Sequence, residues 1–169
     1  MNSGDARWIA LVWRLPTGSS TPRVSIWRTL KRLGAATLTP GAALLPFHED
    51  LLEQLGWLAQ EIEDMGGTGW VLPVTELSDT EASRIRTQVN QERGLEYEAF
   101  RVETGRVSTR LAQGAGSYRE VEALRQRFER IRARDHFGAP GRAAAERTLG
   151  ECVAKGSTGA RVERHALRH

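Results

Sequence analysis

Cationic side chains at helical spacing are the most available chemistry in this sequence, and their natural partners are phosphate groups. Arg28, Lys31 and Arg32 fall within an arc of about 100° on a helix read from Pro22 onward, at 100° per residue. Arg125, Arg127, Arg130, Arg132 and Arg134 bracket the apolar stripe of a later helix. Both sets could contact a nucleic-acid backbone. The ordinary alternative is a solvated helix face held by i, i+4 pairs such as Arg125 with Glu129. A third constellation lies between the first strand and the first helix. Ser19, Ser20 and Thr21 stand at a helix N-terminus, with Arg14 closing the strand and Arg23 in the first turn, a set that could hold a tetrahedral dianion. Its alternative is a capped loop beside a surface arginine.

Other chemistries find little support. Cys152 is the only cysteine, which excludes an internal disulfide and a multi-cysteine metal cluster within one chain. Cys152 itself reads as a packed small residue. His48 stands alone beside Glu49 and Asp50 and reads as a capping or surface residue, whereas His165 and His169 are i, i+4 in a tail expected to fray. No glycine-rich dinucleotide fingerprint follows a strand, so no metal and no cofactor is expected. Trp8, Trp13, Trp27, Trp57 and Trp70 could stack bases if exposed, but their strand and seam positions favour core packing.

The elements that must position these groups follow from pattern. Trp8 to Trp13 is a continuous apolar run closed by Pro16 and reads as a central strand. Thr21 is expected as the helix N-cap with Pro22 at the first helical position, and Ile26, Leu30 and Leu33 form the core face. Gly34 supplies the left-handed stop. Residues 35–39 and 42–46 flank Pro40-Gly41, which suits a type II turn and so a hairpin. Leu51, Leu55, Leu58, Ile62 and Met65 then make the seam of an acidic-faced helix ended by Gly66-Gly67, and Trp70 to Val74 is a further strand.

The resulting βαββαβ order is that of a ferredoxin-like α+β fold with both helices on one face of an antiparallel sheet. Beyond it, Ser78-Asp79-Thr80-Glu81 and Ser117-Tyr118-Arg119-Glu120 are capping boxes. The second opens a helix with the stripe Val121, Leu124, Phe128 and Ile131, and Arg142 to Val153 can form one more helix. Gly94 and Gly105 leave open whether the stretch between the capping boxes is one helix or a bent pair. The expected organisation is a ferredoxin-like domain over 1–77, a helical extension over 78–153 and a flexible tail over 154–169.

At 169 residues the chain suits one compact domain with a helical appendage. The net charge of +3 is uneven, with six Lys/Arg against eight Asp/Glu through Leu77 and eighteen against thirteen after it. That excess favours acidic partners without bearing on the fold. No apolar run approaches the roughly 20 residues of a membrane span, and Met1 to Asp5 lacks the pattern of a signal peptide, so a soluble, cytoplasmic protein is expected.

Several short motifs together resemble the N-terminal domain of ChrB-type chromate resistance regulators. They are Arg14-Leu15-Pro16, Ser20-Thr21-Pro22-Arg23-Val24, Trp27-Arg28-Thr29-Leu30, Leu33-Gly34-Ala35 and Leu44-Leu45-Pro46. Trp57-Leu58-Ala59 with Glu61-Ile62 and Gly66-Gly67, and the run Arg134-Asp135-His136-Phe137-Gly138-Ala139-Pro140, carry the likeness along most of the chain. A similar pattern occurs in the middle domain of phenylacetate-operon repressors, which shares a ferredoxin-like plan with small CRISPR-associated nucleases.

The resemblance implies a non-enzymatic regulator or accessory protein of chromate resistance. It would bind DNA at its own operator region as a homodimer, with relief by chromate, which the Arg14, Ser19, Ser20, Thr21 and Arg23 set would receive. Full-length members carry a second, C-terminal domain that this sequence does not include. The competing readings are a dimeric protein-interaction module that never touches DNA and a degenerate nuclease. The nuclease relatives place a carboxylate where Arg14-Leu15-Pro16 stands here, which disfavours metal-assisted cleavage.

Overall fold

The computed structural model describes residues 7–16 and 20–166, with the side chains of Ser20 and of 157–166 left out. The element order is β1 (Trp8–Arg14), α1 (Ser20–Leu33), β2 (Ala36–Thr39), β3 (Ala42–Pro46), α2 (Glu49–Asp64), β4 (Thr68–Val74), α3 (Asp79–Ala112), α4 (Tyr118–Arg132) and α5 (Arg142–Ala166). The chain divides into two compact units, Met1–Val89 and Asn90–His169, so α3 starts in the first and ends in the second. Among the described residues no helix is long and apolar enough to cross a membrane.

The first unit is a four-stranded sheet in the order β2-β3-β1-β4, antiparallel throughout, as a ferredoxin-like α+β fold requires. β1 is central, pairing Leu11 with Ala43 on one side and with Val71 on the other. Ile9 and Leu11 of β1 and Ala43 and Leu45 of β3 share one core with Ile26, Leu30 and Leu33 of α1 and Leu51, Leu55, Leu58 and Ile62 of α2. Both helices therefore cover the same face, as strand alternation and the 3.6-residue helical period demand. Each leucine and isoleucine of this set contributes about 2 kcal/mol of hydrophobic stabilisation. Trp8 is buried, with the Arg86 guanidinium 5.9 Å from its ring centre.

Three local expectations are corrected. Helix α1 begins at Ser20, so Thr21 lies inside the helix and is not its N-cap, and residues 17–19 lie outside the described residues. Pro22 fits just inside the helix because the first-turn N–H groups have no intrahelical acceptor in any case. The Pro40-Gly41 hairpin is not a type II turn, since Gly41 does not have the positive φ that its i+2 position needs. Glycine is required there for space: a Cβ would lie 2.6 Å from the Trp13 carbonyl oxygen, while the Trp13 N–H donates to the Gly41 carbonyl at 2.8 Å. Core packing also fails for three of the five tryptophans, with Trp27, Trp57 and Trp70 exposed by 52%, 70% and 51%. Trp57 lies on the solvent side of α2, opposite its buried seam, and Trp70 sits on an edge strand.

In the second unit Tyr97, Phe100 and Val107 of α3 pack with Leu124, Phe128 and Ile131 of α4 and with Ala145 and Cys152 of α5. α3 is one continuous helix through Gly94 and Gly105. Ile85, Val89, Arg93, Tyr97, Phe100, Thr104 and Val107 are buried at spacings of three and four. That unbroken stripe outweighs the roughly 1 kcal/mol that each interior glycine costs.

Candidate functional site

The end of β1, the outer side of α1 and the β2-β3 turn enclose a cavity of about 510 Å³. Trp13, Arg14 and Leu15 come from β1 and the residue after it, Arg23, Val24, Trp27 and Leu30 from α1, and Thr37, Pro40 and Gly41 from the hairpin. The strand period sends Trp13 toward the α1 side together with Ile9 and Leu11. The helical period brings Arg23, Trp27 and Leu30 onto adjoining rows of α1. Contact of the Gly41 backbone with Trp13 seats the turn against β1. Of the expected dianion set, Arg14 and Arg23 both line this cavity, but the same strand period turns the Arg14 side chain to the opposite sheet face, so the two guanidinium groups are not brought together. Thr21 is exposed on the first turn of α1, and Ser19 and the Ser20 side chain lie outside the described residues.

Arg14 and Arg23 are exposed and have no ion-pair partner among the described residues. No carboxylate lines the cavity among the described residues. The whole of α1 carries Arg23, Arg28, Lys31 and Arg32 and no acidic residue. Arg28 and Arg32 are exposed, the Arg32 guanidinium donates to the Thr29 hydroxyl at 3.3 Å, and the Lys31 ammonium lies 5.7 Å from the Trp27 ring centre. One arc of α1 therefore interleaves cations with an exposed indole.

The arginines of α4 are differently placed. Arg127 pairs with Glu103, Arg132 with Glu129 at 2.7 Å, and Arg134 with Glu96 at 2.8 Å while also donating to the Arg130 carbonyl. Burial pulls the Arg134 guanidinium below its ordinary pKa, against the opposing pull of Glu96. Arg125 and Arg130 are exposed without an ion-pair partner among the described residues. Glu129 is used by Arg132, so the anticipated Arg125–Glu129 pair does not form.

Sequence reasoning missed the polar interior of the second unit. The Tyr97 hydroxyl donates to the Asp135 carboxylate at 3.0 Å, the Ala139 N–H donates to its other oxygen at 2.8 Å, and Arg142 stands 3.7 Å away. Arg93 is buried beside Glu96 at 3.2 Å, with its Nε lacking a hydrogen-bond acceptor. The available signal was position: Arg93 lies four residues after Val89 and four before Tyr97 on the buried stripe. His48 stands at the N-cap of α2 but makes no capping hydrogen bond through its side chain.

The chain matches the family described as Protein ChrB, N-terminal, over residues 23–165. Protein ChrB of Cupriavidus metallidurans is 32% identical over 151 residues, which covers 86% of this chain and 45% of that protein. The chain thus spans less than half the length of that curated relative. No solved structure gives a significant match. With both the cavity residues from Arg23 onward and the Arg134–Pro140 run inside the matched region, the chain belongs to the ChrB N-terminal family.

Proposed function

We propose that this chain is a non-enzymatic, cytoplasmic regulator or accessory protein of chromate resistance that contacts DNA phosphates, with that contact relieved by chromate. The observation that carries the reading is α1, which holds four cations and no carboxylate and leaves Arg28 and Arg32 exposed. A helix face that presents exposed arginines gains affinity from counterion release on binding a polyanion. Arg125 and Arg130 add positive charge on α4, whereas Arg127, Arg132 and Arg134 are committed to glutamates.

Fluorescence anisotropy with the DNA upstream of its own reading frame, across a salt series, tests this. Three phosphate contacts from Arg28, Lys31 and Arg32 predict a slope of log K against log salt of about −3, and the R28A/R32A variant should reduce it by about 2. Chromate should weaken binding where an equal concentration of sulfate does not. No binding at low salt, or a slope untouched by R28A/R32A, overturns the proposal.

A second reading, a self-associating interaction module, is favoured by the exposed Trp70 and Leu72 on edge strand β4. It expects concentration-dependent dimerisation in sedimentation velocity that the W70A/L72S variant abolishes, with no DNA binding.

A further inference from the structure

We infer that the cavity between β1 and α1 is a binding site for an organic aromatic anion, a flat ring system carrying a carboxylate or phosphate. Its volume of about 510 Å³ falls in the range of small-molecule sites, about 300–1,000 Å³. A water occupies only about 30 Å³ of liquid, so a bare tetrahedral oxyanion would leave most of this space unfilled.

The walls select the body of the ligand. Trp13 and Trp27 offer indole surfaces, and Val24 and Leu30 fill between them with aliphatic carbon, so stacking and desolvation favour a planar apolar ring. The charge selects its substituent. Arg23 is the charged side chain on the α1 wall and has no ion-pair partner among the described residues, whereas the strand period that turns Trp13 toward α1 turns the Arg14 side chain to the opposite sheet face. The counter-charge is left to the occupant, and a guanidinium fork matches the paired oxygens of a carboxylate or phosphate. A neutral aromatic would satisfy the walls alone, and an inorganic oxyanion the arginine alone.

This site is separate from the proposed DNA contact, which uses Arg28, Lys31 and Arg32. Isothermal titration calorimetry with 1-naphthoate, 1-naphthyl phosphate and the neutral 1-naphthalenemethanol tests it on the full chain. At least one anion should bind tenfold or more tightly than the alcohol, and comparison of the two anions tells carboxylate from phosphate. R23A should weaken the anion by about tenfold, W27A should weaken all three probes, and R14A on the opposite sheet face and W57A on α2 should change nothing. Arg14, Arg23 and Trp27 are exposed, and unchanged far-UV circular dichroism keeps lost binding distinct from lost fold.

Equal binding of the alcohol, or indifference to R23A, overturns the inference. Competition of the naphthyl anion by equimolar chromate or sulfate overturns it too, in favour of an inorganic oxyanion site. None of these results bears on the salt slope of R28A/R32A, so this site and the DNA contact fail separately.

Discussion

Asp135 organises the interior of the second unit through single atoms. Its fully buried carboxylate takes the Tyr97 hydroxyl on one oxygen and the Ala139 amide on the other, tying the loop before α5 to the middle of α3. Removing it strands two buried donors, each costing about 1–3 kcal/mol. Asp135→Ala should therefore lower stability by about 3 kcal/mol in urea denaturation, and Tyr97→Phe by about 1–2 kcal/mol. Burial, reinforced by the neighbouring Asp135, raises the Tyr97 phenol above its ordinary value of 10.0. Its contribution is complete below that pH and is lost as the pH rises beyond it, because the unfolded chain sheds the proton first. Wild-type stability should fall above about pH 10, and the fall should be shallower in Tyr97→Phe. Reading Arg134 as a phosphate contact took its charge at face value. Its ion pair with Glu96 depends on a partner 38 positions away in the chain, which no local pattern announces.

At the scale of elements, the turns discriminate between two uses of glycine. Gly34 ends α1 with a φ of +77°, a conformation that costs an L residue about 1–2 kcal/mol. Gly34→Ala should lower the urea midpoint accordingly. Gly105 lies inside α3 with nothing within 4 Å of a built Cβ, so Gly105→Ala should raise stability by about 0.5–1 kcal/mol. Opposite signs from the same substitution in chemical denaturation check both assignments. Gly34 was legible because a helix stop follows an apolar seam. Turn chemistry alone points to a type II turn at Gly41, whereas its actual constraint is the Trp13 carbonyl, a contact made only when the hairpin closes on β1.

For the molecule as a whole, each of the two compact units has its own hydrophobic core. Leu55 at 1% exposure and Phe128 at 3% sit in one core each. Leu55→Ala should cost about 2–5 kcal/mol and Phe128→Ala about 3–5 kcal/mol. Hydrogen exchange should show the first variant lowering protection in β1 and β3 and the second in α4. Unchanged protection in either place would remove that residue from the core it is assigned.

Adjacent residues alone specify the element order through β4, the core seams of α1, α2 and α4 and the ferredoxin-like topology. Period, capping boxes and breakers act over a few residues and are written in adjacent letters. The sequence also locates the cationic arc of α1, since helical spacing alone places Arg28, Lys31 and Arg32 together. Folding alone sets which cations are matched by carboxylates, which tryptophans reach solvent and where a cavity opens. Those outcomes depend on residues distant in sequence: Glu103 and Glu96 neutralise Arg127 and Arg134, and the hairpin turn closes a wall beside Trp13 and Trp27. Burial and charge compensation are properties of neighbours in space, and the chain specifies those neighbours only once it has folded.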